Sequence, residues 1–276
     1  YILPNRYAYQ VADLLSQAIP HFKSFVFCNS GTEATMRAVR IGRAYTGRKK
    51  IAMFGGGWHG GNDMLLFEED YSSDENQPQA TFTSAGIPEE IKDMVLMLPY
   101  NNDAAFELIG EHKNELAMVI IEPSQGSNPR DDVGEFLYKL REVTSRYGIL
   151  LCFDEIITGF RIALGGCQEY YKIEADIVTY GKALGGGLSI GVVAGKNEIM
   201  DIIKGDREKK PVFMGGTFSA NPLAMSMAKI VLEYLIKNQK IVYPYLNDNA
   251  RYMRKTLNDF CIANKIPMRI IGIGSM

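Results

Sequence analysis

The sequence is poor in the residues that several classes of protein depend on. It has only four cysteines and three histidines among 276 residues. Because no CxxC pair occurs and no histidine accompanies a cysteine, we expect neither a disulfide nor a metal site. No apolar run approaches the ~20 residues of a membrane span. The formal net charge of −2 gives no reason to expect nucleic acid or an anionic membrane as a partner. We interpret the cysteines as reduced thiols of a cytoplasmic protein: Cys28, Cys152, Cys167 and Cys261.

An initiator methionine and a signal-peptide pattern are also missing, since the chain begins with "YILPNRYAYQ". The last residues, "RIIGIGSM", are typical of a strand followed by a turn. We therefore expect an internal piece of a longer protein, in which the other segments contribute to the site.

The remaining composition, 46% hydrophobic and 22% charged, is that of an ordinary globular protein. Short β-branched or aromatic runs alternate with helical patterns, which predicts an α/β fold with a mostly parallel sheet and helices on both faces. The polar segment 70–90 is predicted to be a loop. The pattern changes after about residue 240, so we expect a large domain over 1–240 and the beginning of a small C-terminal α/β domain over 241–276. The predicted strands are 25–27, 50–54, 117–121, 149–153, 176–180 and 190–194, and the predicted helices are 6–18, 32–46, 102–112, 134–147, 221–237 and 245–264.

Polar or glycine-rich segments follow most of the predicted strands. Ligands of open α/β sheets bind at the carboxyl ends of the strands, so these segments indicate a binding site at one sheet edge. They are "NSGTEA" (29–34), "GGGWHGG" (55–61), "EPSQGSN" (122–128), "DEIITGFR" (154–161) and "GKALGGG" (181–187).

The first of these segments opens a predicted helix at Ser30, Gly31, Thr32 and Glu33. One interpretation is a capping box, in which Ser30 and Glu33 satisfy backbone amides reciprocally. The other is a phosphate-binding turn, made of free amides at the helix N-terminus and the Thr32 hydroxyl. It is not a P-loop, because the lysine of that motif is missing.

A lysine and an aspartate end two consecutive predicted strands. Asp154 closes "LLCFD", and Lys182 follows "VTYG" 28 residues later, a spacing that fits one βαβ step. Three consecutive glycines after Lys182 would each weaken a helix by roughly 1 kcal/mol, so we expect the backbone to pass close to a ligand there. Pyridoxal 5'-phosphate requires both groups: a lysine forms an imine with it, and a carboxylate partners its pyridinium nitrogen.

Trp58 and His59 lie in the turn "FGGGWHGGN". Trp58 either packs on the protein surface or stacks on the cofactor ring, a contact worth ~0.5–1.5 kcal/mol beyond area burial. His59 is either a hydrogen-bond partner near the cofactor or structural, and we favour the structural role.

In these motifs the chain resembles the large domain of class III (fold type I) pyridoxal-phosphate aminotransferases, most closely the glutamate-1-semialdehyde aminomutase-like branch. The resemblance covers nearly all of the chain. It rests on "NSGTEA", "WHGGND", "IIEP", "FDEIITGFR", "LGGCQEYY", "TYGKALGGGLSIG" and "GGTFSANPLAM", in that order.

The resemblance implies a role for each matching residue. Lys182 is then the Schiff-base lysine and general base, Asp154 the partner of the pyridine nitrogen, and Ile156 the residue packed on the ring face opposite Trp58. The phosphate-binding turn is then Gly31 and Thr32.

Two further positions follow from the same resemblance. Gln125 is expected near the phenolic oxygen of the cofactor. Thr217 is expected to reach the phosphate bound by a neighbouring subunit, which implies a homodimer with shared active sites.

The sequence departs from the family pattern at two positions. Trp58 replaces the tyrosine of the family's YHG motif, and Ser127 occupies the position where the aminomutase branch has asparagine. The second change favours an aminotransferase that acts on a separate amino donor and carbonyl acceptor over an aminomutase. Arg130 and Arg161 are candidate substrate-carboxylate binders, Arg161 being favoured for a structural ion pair, and "SAGIP" (84–88) is a candidate gate.

Other functions stay open at this point. A racemase or decarboxylase could use the same fold, since fold does not fix the reaction. A module that binds the cofactor without turnover and a nucleotide-binding domain are further alternatives.

Overall fold

The computed structural model describes residues 5–205 and 210–276. The strands are β1 (Ser24–Cys28), β2 (Lys50–Phe54), β3 (Phe67–Glu69), β4 (Ala80–Phe82), β5 (Val95–Leu98), β6 (Leu116–Ile121), β7 (Leu150–Glu155), β8 (Ile177–Tyr180) and β9 (Gly191–Gly195). The α-helices are α1 (Arg6–Ala18), α2 (Gly31–Thr46), α3 (Ala104–Glu111), α4 (Gly134–Tyr147), α5 (Gly166–Tyr171), α6 (Asn197–Met200) and α7 (Pro222–Ala263). Short 3-10 turns cover Glu89–Met94, Lys182–Gly185 and Asp201–Ile203.

A seven-stranded sheet forms the centre of the fold, in the order β1-β9-β8-β7-β6-β2-β5. The pairs β2–β5, β2–β6, β6–β7 and β7–β8 are parallel. Strand β9 runs antiparallel to both of its neighbours, β1 and β8. Strand β1 therefore points the same way as β8, and the predicted mostly parallel sheet is confirmed.

Alternate residues of the central strands pack on opposite sides of the sheet. In β6, Val119 and Ile121 join the cluster that contains buried residues of α1, α3, α4 and α7. Met118 and Ile120 join the cluster that contains residues of α2 and α6. Because helices cover both faces, the strand can be apolar at every position, as the sequence "LAMVII" is. The prediction of helices on both faces is confirmed.

The common direction of β1, β2, β6, β7 and β8 brings their carboxyl ends to one edge of the sheet. The segments that follow these strands are the ones that the sequence singled out. Strand β9 begins at the same edge, because it runs the opposite way. This edge positions the candidate site.

Helix α7 differs from the prediction of two separate helices, 221–237 and 245–264. It is one helix of 42 residues with Pro244 inside it. Proline removes one intrahelical hydrogen bond, that to the Lys240 carbonyl, and normally breaks or kinks a helix. Tyr243 donates to the Phe160 carbonyl, and Asn247 donates to the Ile162 carbonyl. Contacts on both sides of the proline therefore hold α7 against the segment that follows β7. The predicted boundary near residue 240 falls within α7, and the division into two domains stays a prediction. None of the helices in the described ranges combines the length and the hydrophobicity that a membrane span requires.

Two further expectations from the sequence are wrong. The segment 70–90 is not only loop, since β4 pairs antiparallel with β3 in a small second sheet. The C-terminal residues 266–276 form no strand in the described chain. A strand needs a neighbour for its backbone hydrogen bonds, and no described strand pairs with this segment.

Candidate active site

A cavity of about 330 Å³ lies at the carboxyl edge of the sheet. Its lining contains eight residues that the sequence analysis proposed for the site: Ser30, Gly31, Thr32, Trp58, His59, Asp154, Ile156 and Lys182. The structure thus brings together proposed residues from four separate segments of the chain. It adds Asn29, Thr35, Gly60, Glu122, Ile157, Leu188, Ser189 and Ile190, which were not proposed.

Helix α2 begins at one end of this cavity. The Ser30 hydroxyl caps the helix by accepting from the Glu33 amide at 3.1 Å. The Glu33 carboxylate reaches back to the Asn29 amide at 2.5 Å, one residue earlier than a standard capping box would place it. The amides of Gly31 and Thr32 have no intrahelical acceptor, because they belong to the first turn. This end of the cavity can therefore hold an anion.

The turn after Trp58 packs directly on the first turn of α2. Thr35 Oγ1 donates to the His59 carbonyl at 2.6 Å, and the Gly61 amide donates to Thr32 Oγ1 at 3.2 Å. Gly60 has a φ of +89°, and a Cβ there would lie 2.8 Å from Thr32 Cα. Glycine is required at this position because both the backbone angle and the close approach exclude a side chain.

Asp154 occupies the centre of the site, at the end of β7, and its side chain is buried. His59 Nδ1 lies 2.8 Å from Asp154 Oδ2. Thr179 Oγ1 and the Ile156 amide donate to Asp154 Oδ1 at 2.9 and 3.1 Å. The carboxylate is therefore fixed in orientation by contacts to both of its oxygens.

Lys182 begins the 3-10 turn that follows β8. Its φ of +39° lies in the left-handed region, which a lysine seldom adopts and which is often found at functional sites. Gly181 precedes it, and a Cβ there would lie 3.2 Å from both Ile156 Cδ1 and the Ile190 carbonyl. Among the salt bridges of the described chain none involves Lys182. Its amine is thus available to a ligand.

Trp58 lines this cavity, and 58% of its surface is exposed. Its backbone amide donates to Glu122 Oε2 at 2.9 Å. Glu122 follows β6 directly and is buried, and burial raises the pKa of its carboxyl while His59 acts in the opposite direction. The sequence analysis assigned no role to Glu122. Its position after a buried strand, equivalent to that of Asp154, was the signal that could have found it.

Two of the proposed residues do not line this cavity. Gln125 is buried and donates from Nε2 to the Gly55 carbonyl at 2.7 Å. It lines a neighbouring cavity of about 420 Å³. Thr217 is exposed and lies outside the lining of both cavities. Their roles toward the cofactor stay predictions.

The two candidate carboxylate-binding arginines and the candidate gate also lie outside this cavity. Arg130 pairs with Asp132, with an Nη2–Oδ2 distance of 2.5 Å. Arg161 donates to the Ser275 carbonyl at 3.1 Å and forms no ion pair in the described part of the chain. The "SAGIP" segment is mostly exposed between β4 and the 3-10 turn at Glu89–Met94.

The arrangement has a consistent chemical character. A primary amine, a carboxylate fixed by an imidazole and a helix N-terminus all face one cavity. Trp58 and Ile156 add apolar surface on which a flat ring can pack. The site can therefore hold a planar, anionic, carbonyl-bearing molecule close to a free amine.

Comparison with known proteins agrees with this character. A sequence model of the aminotransferase class-III family matches residues 1–276. The chain is 40% identical over 278 residues to a protein of Persephonella marina named glutamate-1-semialdehyde 2,1-aminomutase, a match that covers 99% of this chain and 62% of that protein.

Solved structures are similar over the same extent. An omega-transaminase from Sphaerobacter thermophilus is 34% identical with a TM-score of 0.91, covering 99% of this chain and 63% of that one. A transaminase with PLP bound is 28% identical with a TM-score of 0.88, at the same coverages of 99% and 63%. The chain thus spans 62–63% of the length of these relatives.

Proposed function

This chain belongs to the class-III aminotransferase family, and we propose that it forms the cofactor site of a pyridoxal-5'-phosphate-dependent aminotransferase. The reaction moves an amino group from a small-molecule amino donor to a keto or aldehyde acceptor. The observation that carries the proposal is that Lys182 and Asp154 line one cavity while Asp154 is held by His59. These are the amine and the carboxylate that this cofactor requires.

The cavity residues fit the cofactor at each of its functional groups. The free amides of Gly31 and Thr32 and the Thr32 hydroxyl suit the phosphate. Gly31 lies against Ile156, where a Cβ would come within 3.1 Å of Ile156 Cγ2, so the absence of a side chain keeps the anion end open. Asp154 suits the pyridine nitrogen, and Lys182, with no ion-pair partner in the described chain, suits the aldehyde carbon.

The protein groups then divide the work of the reaction. When bound, the cofactor supplies a conjugated, protonated ring that accepts electron density from the substrate carbon. Asp154 holds the proton on the ring nitrogen, and His59 and Thr179 keep this carboxylate oriented. Lys182 holds the cofactor before substrate arrives and afterwards moves a proton at the substrate carbon as the general base. Trp58 and Ile156 would offer apolar contacts to the ring, since both line the cavity.

A second candidate is an aminomutase, in which the amino group returns to a neighbouring carbon of the same molecule. The observation in its favour is the 40% identity to a protein named glutamate-1-semialdehyde 2,1-aminomutase. Against it, Ser127 stands at a position where the aminomutase branch has asparagine, and its hydroxyl donates to the Gly56 carbonyl at 3.0 Å. We therefore retain intermolecular transfer as the leading proposal.

One experiment tests both candidates. The full-length protein is loaded with cofactor and given an isotopically labelled amino donor together with a separate keto acceptor, for a single turnover. Label on the acceptor supports the aminotransferase, and label kept within the donor's carbon skeleton supports the aminomutase. If a panel of amino donors changes neither the cofactor absorbance nor the position of the label, the proposed function is wrong.

We also propose that the enzyme is a homodimer in which Thr217 contributes to the partner's phosphate site. Phe213 and Phe218 flank Thr217 and expose 73% and 66% of their surfaces. Two large aromatic side chains exposed on one short segment are typical of an interaction surface. A second copy of the chain would cover them.

A further inference from the structure

The turn that carries Trp58 has one internal backbone hydrogen bond, from the Gly57 amide to the Phe54 carbonyl at 3.2 Å. It consists of Gly55, Gly56 and Gly57, and Gly56 has a φ of +75°. Glycine is the most flexible residue in the unfolded chain and adds no side-chain contact. The Trp58 ring is itself 58% exposed and pairs with no aromatic ring in the described chain. The position of the ring therefore depends on what holds the backbone of this turn.

The loop over residues 122–127, which follows β6, holds the turn at three points. Gln125 Nε2 donates to the Gly55 carbonyl at 2.7 Å. Ser127 Oγ donates to the Gly56 carbonyl at 3.0 Å. Glu122 Oε2 accepts from the Trp58 amide at 2.9 Å. The contact of Glu122 is the one that acts on the tryptophan itself.

Glu122 is suited to holding the Trp58 amide because its side chain is buried and both of its carboxylate oxygens accept hydrogen bonds. Only 4% of its surface is exposed. Its second oxygen, Oε1, accepts from the Gly126 amide at 3.4 Å and so closes the 122–127 loop on itself. A glutamine could accept only one of the two amides, since its NH2 group is a donor.

We propose that Glu122 is a positioning residue that fixes the Trp58 ring for contact with the flat cofactor. The inference rests on the proposed function, because the ligand that the Trp58 ring contacts is the proposed cofactor. In this role Glu122 acts through its hydrogen bond to the Trp58 backbone amide. The residue that follows Trp58 is His59, whose Nδ1 is hydrogen-bonded to Asp154. The turn therefore connects the Trp58 ring with the buried carboxylate of the site.

Glu122→Gln is the central variant, because it keeps the shape and removes one acceptor. Its matched control is Glu69→Gln, which makes the same change beside the same turn. Glu69 lies against Gly55 but makes no hydrogen bond to residues 55–58 in the described chain. Ser127→Ala serves as a second variant if Glu122→Gln folds poorly, because it removes one exposed hydroxyl and leaves the buried carboxylate in place.

The first readout needs no cofactor. In the full-length apoprotein, the near-ultraviolet circular-dichroism band of Trp58 is obtained by subtracting the spectrum of Trp58→Phe. We expect this band to shrink in Glu122→Gln and, to a smaller extent, in Ser127→Ala, and to keep its wild-type size in Glu69→Gln. An unchanged band in Glu122→Gln overturns the inference.

The second readout is the cofactor dissociation constant in a double-mutant cycle with Trp58→Ala. We expect Glu122→Gln to raise this constant about two- to tenfold when Trp58 is present, the factor that a lost aromatic stack implies. In the Trp58→Ala background the same substitution should have no further effect. An equal rise in both backgrounds overturns the inference. If the wild-type protein binds no cofactor, the proposed function fails, while the band of the apoprotein still decides the role of Glu122.

Discussion

His59 Nδ1 lies 2.8 Å from Asp154 Oδ2, and both side chains are buried. The other ring nitrogen of His59 has no hydrogen-bond partner within the described chain. The contact to Asp154 is therefore the one that orients the imidazole there. It also occupies one oxygen of the carboxylate, while Thr179 and the Ile156 amide occupy the other. The negative charge of Asp154 is held in a fixed position, which is what a group that must retain a proton on a ring nitrogen needs.

Replacing the carboxylate tests this role. Asp154→Asn should keep the cofactor bound but lower the rate of amino transfer on the order of 10²-fold or more, because a neutral amide cannot retain the pyridinium proton. The measurement is single-turnover kinetics of the loaded full-length enzyme. Thr179→Val is the control, since it removes one contact to Asp154 and leaves the charge, and its loss should be much smaller. Near wild-type turnover by Asp154→Asn would show that the carboxylate has another purpose.

The attachment point of the cofactor is a second prediction. Borohydride treatment of the loaded enzyme should trap a pyridoxyl group on Lys182, and peptide mass mapping identifies the modified residue. Lys196 is a useful internal control, because its amine is paired with Asp176 at 2.6 Å and should stay unmodified. A pyridoxyl group on another lysine, or on none, would exclude Lys182 as the attachment point.

Much of the fold could be predicted from the sequence, because apolar strands covered on both faces leave a strong signal. β6 and β7 are buried at every position, and their apolar patterns, alternating with helical ones, indicated a parallel sheet. The parts that were missed depend on tertiary contacts. β3 and β4 have three residues each, which is too few for a periodic pattern. Helix α7 continues past Pro244, where Tyr243 and Asn247 anchor it to Phe160 and Ile162.

The residues of the candidate site also fall into those that could be predicted from the sequence and those that could not. Lys182, Asp154 and Trp58 could be proposed because each stands in an unusual sequence context. Thr35 could not, because its importance comes from a partner 24 residues away. Glu122 could have been proposed from its position after a buried strand, but its contact with the Trp58 amide, 64 residues away, could not be derived from the sequence. Gln125 was expected beside the cofactor, and its bond to Gly55 could not be derived from its position in the motif.

The contact between Gly60 and Thr32 gives a prediction with a control at the next residue. Gly60→Ala should lower the free energy of unfolding by about 1–3 kcal/mol, because its left-handed φ strains a side chain and the new Cβ would meet Thr32. The cofactor should also bind more weakly, since Thr32 belongs to the proposed phosphate turn. Gly61→Ala has no atom within 4 Å of its new Cβ and should change the unfolding free energy by less than about 0.5 kcal/mol. Denaturant unfolding and cofactor titration measure both effects, and equal behaviour of the two variants would contradict the prediction.

Glu155 predicts a dependence of stability on pH. Complete burial raises the pKa of its carboxyl from the usual 4.5 to about 7, against the opposing hydrogen bonds from the Cys167 amide and Thr158. Between these two values the folded protein keeps a proton that the unfolded chain has lost. The contribution of Glu155 to stability is thus full below pH 4.5 and is lost as the pH rises to about 7, by about 3 kcal/mol in total.

Glu155→Gln isolates this contribution, because the amide does not titrate. The difference in unfolding free energy between wild type and Glu155→Gln should shift against the wild type as the pH rises through this range. Exposed Glu142 supplies the control: Glu142→Gln should follow the wild-type profile. A constant difference between wild type and Glu155→Gln across the range would mean that Glu155 keeps the same protonation state in the folded and unfolded chains.

The shared-site dimer is tested by mixing two defective subunits. Lys182→Ala removes the cofactor attachment point, and Thr217→Ala removes the hydroxyl proposed to reach the partner's phosphate. In a heterodimer of these variants, shared sites give one site that lacks both groups and one that has both. We therefore expect the heterodimer to have one site with wild-type cofactor retention, whereas neither homodimer has such a site. The measurement is cofactor retention by the purified heterodimer during dialysis, with each homodimer as the control. If the heterodimer retains no more cofactor than the Thr217→Ala homodimer, the proposal of shared sites is wrong. Thr217 would then act within its own subunit or have no effect on the cofactor, since neither case gives the heterodimer a restored site.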